Sequence, residues 1–275
     1  MDMRTSHGGL ELPAIGFGTY NLRGGSGVDA VVSAIATGYQ LIDTAFNYEN
    51  EGVVGQALRS CGRRDGLILT SKLPGRHHDY DAALYTVEES CYRLGVNEID
   101  LYLIHWPNPQ VGKYVEAWRG LIAAREAGLV RHIGVSNFLP EHILRLEKET
   151  GVVPEVNQIE LHPYFAQEEA LAFHEEYGII TEAWSPLAKA GKLFDEPIIK
   201  ELAERYHCTP AQIVLAWTIA RGVVPIPKAS SIARQEENLH AAHIRLDTKD
   251  IHAISALSSP EGRLWGGDPL THEEF

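Results

Sequence analysis

The stretch IDLYLIH, residues 99–105, is a near-continuous apolar run that ends in a titratable side chain. Such a run is typical of a strand buried on both faces, as in a parallel sheet covered by helices. Similar runs occur at 14–17, 40–43, 67–72, 132–136, 156–161, 179–184 and 223–226. Segments of helical period separate them and stop at glycines such as Gly38, Gly95, Gly128 and Gly178. Eight strand–helix units predict an α/β fold, a (β/α)8 TIM barrel.

Several segments outside the eight units add to this prediction. His7-Gly8-Gly9 lies between two short runs and predicts a β-hairpin before the first barrel strand. Glu196–Tyr206 and Thr248–Leu257 have helical period and predict two extra helices. Arg23–Gly27 is rich in glycine, and we expect a loop there. Because no linker rich in Pro, Gly or Ser divides the chain, we expect residues 1–275 to form a single barrel domain.

The composition argues against several classes of protein. Lysine and arginine number 24 against 37 aspartate and glutamate, a formal net charge of −13, so we do not expect a nucleic-acid partner. Cys61, Cys91 and Cys208 are far apart, which argues against a disulfide framework or a metal site and favours a reducing compartment. No apolar run approaches 18 residues, so we expect no membrane span and a cytoplasmic protein.

Titratable side chains gather at the ends of three consecutive runs, where a TIM barrel carries its active site. Asp43 ends the second run, Lys72 the third and His105 the fourth, and Tyr48 follows Asp43 in the loop. An ammonium beside Tyr48 favours the phenolate, so we expect the pKa of Tyr48 to be lowered until the phenol donates a proton near neutral pH. Asp43 would hold Lys72 charged, and His105 would orient a substrate oxygen.

This set would stabilise negative charge that develops on a carbonyl oxygen during hydride transfer. The alternative is an Asp43–Lys72 pair that only braces two strands, with Tyr48 packed beside it.

Seven ordered motifs resemble those of the aldo-keto reductase superfamily, in particular its bacterial branch that includes 2,5-diketo-gluconate reductases. The resemblance runs essentially end to end. The motifs are Gly16-Phe17-Gly18-Thr19-Tyr20, Leu41–Ala45 with Asn47-Tyr48, Thr70–Leu73, Asp100–Pro107, Gly134–Phe138, Asn157–Glu160, and Ile226-Pro227-Lys228 with Arg234 and Asn238. By this resemblance Asp43, Tyr48, Lys72 and His105 form the catalytic tetrad.

The resemblance implies NADPH as cofactor, with NADH as a weaker substitute. Neither G-x-G-x-x-G nor a P-loop is present, which argues against a Rossmann site and against P-loop chemistry. The resemblance implies that the nucleotide lies extended across the barrel rim. The implied cofactor-binding residues are Gly18, Thr19, Asp43, Ser136, Asn137, Gln158, Trp184, Ser185, Pro186, Leu187, Lys228, Ala229, Ser230, Arg234, Glu237 and Asn238. Trp184 would stack on the nicotinamide, and Lys228 and Arg234 would meet the 2′-phosphate. Ala229 stands where relatives commonly have serine, which weakens the expected preference for NADPH.

The resemblance also implies an aromatic substrate pocket formed by Tyr20, Phe46, Trp106 and Trp265. A buried tail anchor is the alternative role for Trp265. The loops that set specificity in the family are short in this sequence, so we expect small or elongated carbonyl compounds rather than steroids.

The leading hypothesis is therefore an NADPH-dependent carbonyl reductase with Tyr48 as general acid. A nucleotide-sensing subunit without catalysis, built on the same barrel, is the second hypothesis. An isomerase of phosphorylated sugars lacks support, because strands seven and eight are not followed by Gly-rich phosphate loops. The family resemblance implies a monomer.

Overall fold

A short antiparallel hairpin begins the part of the chain that the computed structural model describes, residues 3–62 and 64–275. Strand β1 (Met3–Thr5) pairs with β2 (Glu11–Pro13), and Met3 lies opposite Pro13. The hairpin predicted around His7-Gly8-Gly9 is therefore confirmed. Met1, Asp2 and Arg63 lie outside the described residues.

In the described part of the chain, eight parallel strands form the second sheet and pair in chain order. They are β3 (Phe17–Gly18), β4 (Leu41–Asp43), β5 (Ile68–Leu73), β6 (Ile99–Ile104), β7 (Val130–Ser136), β8 (Val156–Glu160), β9 (Ile180–Trp184) and β10 (Val224–Pro225). Two backbone bonds join the first of these strands to the last: Gly16 N–H donates to Pro225 O at 3.0 Å, and Gly18 N–H donates to Pro227 O at 3.1 Å. The sheet thus curls into the expected barrel.

The strands on either side of this closure are shorter than the sequence runs predict. Residues 14–17 are strand only at Phe17, and residues 223–226 only at Val224 and Pro225. Proline has no N–H, so Pro225 and Pro227 accept hydrogen bonds but donate none to the ladder.

Ten α-helices of the described residues cover the barrel. They are α1 (Gly24–Thr37), α2 (Glu51–Cys61), α3 (Tyr80–Leu94), α4 (Tyr114–Glu126), α5 (Pro140–Thr150), α6 (Glu168–Tyr177), α7 (Pro197–Arg205), α8 (Pro210–Ala220), α9 (Ile232–His240) and α10 (Thr248–Ser255). Helices α7 and α10 are the two predicted extra helices. Left-handed glycines end several helices as predicted, for example Gly38 after α1 (φ 116°) and Gly178 after α6 (φ 63°). No described helix is long and apolar enough to cross a membrane.

The prediction of a loop at Arg23–Gly27 is wrong, because α1 already begins at Gly24. The Gly27 N–H donates to Arg23 O at 3.0 Å and closes the first turn. A Cβ on Gly27 would lie 2.8 Å from the backbone carbon of Leu22, so this turn packs against the preceding chain only because the residue is glycine.

One apolar cluster fills the barrel interior at its amino-terminal end. It joins Leu10 and Leu12 of the hairpin to inward-facing strand residues, among them Leu41, Leu101, Leu103, Val156, Ile180 and Val224. Ser6 Oγ–H donates to Glu155 Oε2 at 2.7 Å just before β8, which ties the hairpin to this end. The hairpin therefore closes the bottom of the barrel and leaves the carboxyl ends of the strands for the site.

Candidate active site

A buried ion pair connects the ends of β4 and β5. Lys72 Nζ lies 2.7 Å from both carboxylate oxygens of Asp43 and donates to Thr44 O at 2.9 Å. The lysine side chain is 0% exposed. Burial disfavours its charged form, but Asp43 and Tyr48 outweigh burial, and the pKa of Lys72 is raised above its ordinary value. Lys72 thus stays an ammonium inside the barrel.

Tyr48 lies directly above this ammonium. It ends the short 3-10 helix Phe46–Tyr48 after β4, and Lys72 Nζ is 5.0 Å from the centroid of its ring. Burial raises the pKa of Tyr48 and is the largest effect, while the charge of Lys72 lowers it. The net shift is upward, so the expected lowering of the Tyr48 pKa is wrong for the unliganded protein. Tyr48 is a protonated phenol at neutral pH.

His105 follows β6 directly and faces Tyr48, with ring centroids 5.8 Å apart and planes at 73°. Asn137 Nδ2–H donates to the His105 carbonyl oxygen at 3.0 Å and holds its backbone. On the other side, His105 Nδ1 lies 2.7 Å from Glu274 Oε1. The structure therefore brings the four predicted tetrad residues together and adds a carboxylate that the sequence analysis missed.

A second carboxylate lies deeper in the barrel, on β9. Glu182 is buried, and burial together with the charge of Asp43 raises its pKa to about 8. Gln158 Nε2 donates both to Asp43 Oδ2 at 2.9 Å and to Glu182 Oε2 at 2.7 Å. Glu182 was not predicted as a site residue, although a glutamate inside an apolar strand run was a visible signal.

A cavity of about 470 Å³ opens above these groups, within the usual range of small-molecule sites. Its lining consists of Gly18, Tyr20, Asp43, Tyr48, His105, Trp106, Asn137, Gln158, Trp184, Ser185, Pro186, Leu187, Lys189, Ile226, Pro227, Lys228 and Trp265. Tyr20 is 56% exposed and meets Tyr48 edge to face at 5.1 Å. Lys189 Nζ lies 3.6 Å from the centroid of a Trp265 ring, a cation–π contact that was not predicted.

Two of the aromatic predictions need comment. Phe46 is only 8% exposed and does not line the cavity, so its expected place in the pocket is wrong. The guanidinium of Arg93 lies 4.0 Å from the centroid of its ring and that of Arg76 lies 5.5 Å from it. Trp265 is 48% exposed at the cavity rim, which excludes the alternative role of a buried anchor.

The predicted cofactor residues fall into three groups. Eight line the cavity, namely Gly18, Asn137, Gln158, Trp184, Ser185, Pro186, Leu187 and Lys228, as does Asp43 at its base. Ser230 and Arg234 are exposed at the start of α9. Thr19, Ser136, Ala229 and Asn238 are buried, and Glu237 accepts a bond from Thr209 Oγ at 2.5 Å. Ala229 belongs to the apolar core, so this position presents no side chain to the cavity.

The carboxyl end of β9 is fixed by unusual backbone and a specific bond. Trp184 Nε1–H donates to Asn137 Oδ1 at 2.8 Å. Asn137 directly follows β7 and Ser185 directly follows β9, and their φ angles are 62° and 49°. Left-handed backbone at non-glycine residues costs free energy and is commonly retained at binding sites.

Within residues 3–62 and 64–275, no group of three or more His, Cys, Asp or Glu side chains is arranged to hold a metal ion.

Comparisons with known proteins agree on one family. The family model of the aldo/keto reductase family matches residues 14–259. The curated protein 2,5-diketo-D-gluconic acid reductase B of Corynebacterium sp. (strain SHS752001) is 54% identical over 261 residues, 94% of each chain. Methylglyoxal reductase DkgA of Escherichia coli (strain K12) is 41% identical over 263 residues, 95% of this chain and 94% of the relative. A solved mutant of Gox0644 in complex with NADPH has a TM-score of 0.94 at 40% identity and covers 99% of this chain and 98% of its own.

Proposed function

The chain belongs to the aldo/keto reductase family, and we propose that it is an NADPH-dependent reductase of small aldehydes, dicarbonyls or keto sugar acids. The observation that carries the proposal is the Asp43–Lys72 ion pair buried beneath Tyr48, at the floor of a cavity that His105 also lines. A pair that only braced two strands would need neither a phenol above it nor an open cavity.

Each tetrad residue has a distinct part in carbonyl reduction. NADPH, when bound, supplies the hydride that reaches the carbonyl carbon. Tyr48 enters the reaction as a neutral phenol, and its O–H donates a proton to the oxygen as negative charge develops there. Lys72 stabilises the phenolate that remains, and Asp43 keeps Lys72 charged and in place. His105 orients the carbonyl oxygen toward Tyr48.

The residues at the cavity fit the two ends of NADPH. Gln158 uses its amide N–H groups on Asp43 and Glu182, so its carbonyl oxygen is left to accept from the nicotinamide carboxamide. Trp184 lines the cavity and offers a large stacking face to the nicotinamide ring. Gly18 also lines the cavity, and a Cβ there would lie 3.0 Å from Ile226 O, so this part of the wall packs closely only because the residue is glycine.

At the other end, Lys228 and Arg234 form no ion pair with the described part of the chain. Both lie at the amino-terminal end of α9, where unpaired N–H groups also favour an anion. This basic site supports binding of the 2′-phosphate that distinguishes NADPH from NADH. Ala229 contributes no hydroxyl there, so the preference over NADH depends on these two cations.

The rim of the cavity supports a small carbonyl substrate. Tyr20, Trp106 and Trp265 give it an aromatic wall, and Lys189 adds a positive charge beside Trp265. Two relatives are named for small carbonyl substrates: one is a 2,5-diketo-D-gluconic acid reductase and the other a methylglyoxal reductase. Turnover of methylglyoxal and a diketo sugar acid should exceed that of a bulky ketosteroid; faster steroid turnover would contradict the proposal.

The decisive experiment follows NADPH absorbance with Tyr48→Phe beside the wild type. Removing the phenolic hydroxyl takes away the proton donor but leaves the ring, so we expect NADPH binding, measured by tryptophan quenching, to be unchanged. Turnover should fall by a factor of about 10² to 10⁴, which is the usual contribution of a general acid. Wild-type turnover in Tyr48→Phe would show that another group is the acid. Tight NADPH binding by a wild type that turns over none of these carbonyls would favour the nucleotide-sensing hypothesis.

Three further expectations stay predictions. The acidic composition argues against a nucleic-acid partner, and we propose a monomer that works in the cytoplasm. Size-exclusion chromatography with light scattering tests whether the protein is a monomer, and cell fractionation tests whether it is in the cytoplasm.

A further inference from the structure

The loop after β8 receives the carboxy-terminal tail, residues 258–275. Ser259 N–H donates to Tyr164 O at 3.1 Å. A Cβ on Gly262 would lie only 1.6 Å from the same carbonyl oxygen, so the tail lies against this loop only because the residue is glycine. The part of the tail that follows therefore starts from a fixed point.

A buried carboxyl group at the end of β8 holds that next part of the tail. Leu264 N–H donates to Glu160 Oε1 at 2.7 Å, and His162 Nε2 lies 3.0 Å from the same oxygen. The side chains of Glu160 and His162 are both buried. Glu160 belongs to the sequence motif Asn157–Glu160, yet it does not line the cavity. Its carboxyl group binds the tail.

The residue directly after Leu264 is Trp265, which lies at the cavity rim. Its ring centroid is 6.5 Å from that of Trp184, and Lys189 Nζ lies 3.6 Å from a Trp265 ring centroid. Two residues later the tail packs against Trp106, since a Cβ on Gly267 would lie 2.7 Å from Cη2 of that indole. The tail thus supplies one aromatic wall of the cavity and packs against another.

Strand β8 connects this anchor of the tail to the cofactor end of the cavity. Gln158 and Glu160 are two residues apart, so their side chains leave the strand on the same face. Glu160 also lies opposite Trp184 in the register of β8 with β9. The tail is therefore fixed to the same two strands that carry Gln158 and Trp184 into the cavity.

We propose that Glu160 is a positioning residue: its bond to Leu264 fixes Trp265 as the wall of the substrate end of the cavity. This inference rests on the proposed function, because the wall matters for turnover only if a carbonyl compound binds beside it. Trp265 is half-exposed, and ordering such a side chain costs conformational entropy. A wall that is fixed before the substrate arrives removes that cost from substrate binding.

Three variants separate the hydrogen bond from the charge. Glu160→Met removes the acceptor, whereas Glu160→Gln keeps an oxygen that can accept from Leu264 N–H. Leu264→Pro removes the N–H and leaves Glu160 and His162 unchanged. Leu264 is exposed, and Arg263 before it has ψ of 122°, in the extended range that suits the residue before a proline. Glu261→Met is the control, because Glu261 is an exposed acidic residue of the same tail.

We measure kcat and KM for phenylglyoxal, and NADPH binding by tryptophan quenching. In Glu160→Met and Leu264→Pro we expect KM to rise about fivefold, the order expected for one lost hydrogen bond, with kcat within about twofold of the wild type. Glu160→Gln and Glu261→Met should have a KM within about twofold of the wild type, because both keep the bond. NADPH binding should be equal in all five proteins.

The same substitution in a Trp265→Ala background decides whether Glu160 acts through Trp265. Because an absent side chain cannot be positioned, adding Glu160→Met to Trp265→Ala should change KM by less than about twofold. An equal rise in KM in the two backgrounds would overturn the proposal. A wild-type KM in both Glu160→Met and Leu264→Pro would also overturn it, as would an equal rise in Glu261→Met.

Fluorine-19 NMR of protein labelled with 5-fluorotryptophan decides the contact without turnover. The chain has five tryptophans, and single Trp→Phe variants assign their resonances. We expect the Trp265 resonance to shift in Glu160→Met and Leu264→Pro and to keep its position in Glu160→Gln. The resonances of the buried Trp118 and Trp217 should not move, which shows that the barrel is folded.

The two readouts distinguish failure of this inference from failure of the proposed function. An unchanged Trp265 resonance in a folded Glu160→Met would refute the inference even if the protein reduces carbonyls. Conversely, a shifted Trp265 resonance in a protein without carbonyl turnover would refute only the proposed function. If Glu160→Met does not fold, Leu264→Pro gives the same readout, because it changes an exposed residue of the tail.

Discussion

The Asp43–Lys72 ion pair gives the sharpest prediction about stability. In Asp43→Asn the ammonium keeps its bond to Thr44 O but loses its carboxylate, and in Lys72→Met the carboxylate keeps its bond from Gln158 but loses its cation. Removing one partner of a buried pair costs about 3–5 kcal/mol, because the other charge is left in a medium of low polarity. Total stability of a domain is about 5–15 kcal/mol, so either change is large.

The two substitutions should destabilise the protein by different amounts because of Glu182. Its pKa of about 8 is raised by burial and by the charge of Asp43. In Asp43→Asn that repulsion is gone, so Glu182 ionises more readily and its negative charge compensates the charge of Lys72. The loss of stability in this variant should therefore be small within the expected range, about 3 kcal/mol. In Lys72→Met two carboxyl groups remain without a cation, and the cost should approach about 5 kcal/mol.

These free energies convert to melting temperatures. With about 2.1 cal/mol/K of unfolding entropy per residue, a chain of 275 residues has about 0.6 kcal/mol per degree. We therefore expect the melting temperature to fall by about 5 °C in Asp43→Asn and about 9 °C in Lys72→Met. The double variant Asp43→Asn/Lys72→Met has neither charge and should lose less than the sum of the two.

Differential scanning calorimetry and urea unfolding of the four proteins measure these values, and the cycle gives the coupling free energy directly. Additive losses, or a drop below about 2 °C in both single variants, would refute the reasoning. So would a larger loss in Asp43→Asn than in Lys72→Met.

Three other predictions follow from the site and the barrel. Arg234→Ala and Lys228→Ala should each raise the KM for NADPH about tenfold and leave that for NADH unchanged, as expected for a phosphate contact; equal effects on both nucleotides would contradict the assignment. Burial alone would raise the pKa of Glu155, but His132 and Ser6 lower this pKa below 4.5. The contribution of Glu155 to stability is therefore present above pH 4.5 and is lost as the pH falls through the lowered pKa. Melting curves from pH 3 to pH 6 should show that loss in the wild type and not in Glu155→Gln. Trp265→Ala should raise the KM of small carbonyls with less than about 0.5 kcal/mol lost in stability, because the ring is half-exposed at the rim.

Local signals in the sequence predicted most of the barrel. The helix ends at Gly38 and Gly178 depend on a few neighbouring residues, and the structure confirms both of them. The start of α1 was missed because Gly24–Gly27 reads as flexible, whereas the tight contact between Gly27 and Leu22 is decided by tertiary packing. The strands at the closure were predicted too long, because Pro225 and Pro227 have no N–H to donate to the ladder.

The site was predictable where each residue ends a strand, and unpredictable where packing decides which way a side chain points. The tetrad residues converge because parallel strands bring their carboxyl ends to one rim. Phe46 follows the same strand end, yet its ring contacts the guanidinium groups of Arg93 and Arg76 and does not line the cavity. Glu274 lies far along the chain from every strand end, and no local pattern connects it to His105. The pKa of Tyr48 depends on burial, which the sequence does not quantify.

The closure of the barrel between β3 and β10 has a consequence for its dynamics. Both strands are two residues long, and the two bonds across them are donated by Gly16 and Gly18. Local opening of a barrel costs least where few backbone bonds must break, so amide hydrogen exchange should be fast at these two glycines. Gly18 and Lys228 line the cavity from opposite sides of this closure. A dinucleotide that contacts both sides would bridge the closure and slow amide exchange at Gly16 and Gly18. The stability of the whole barrel should then rise as the dinucleotide concentration rises.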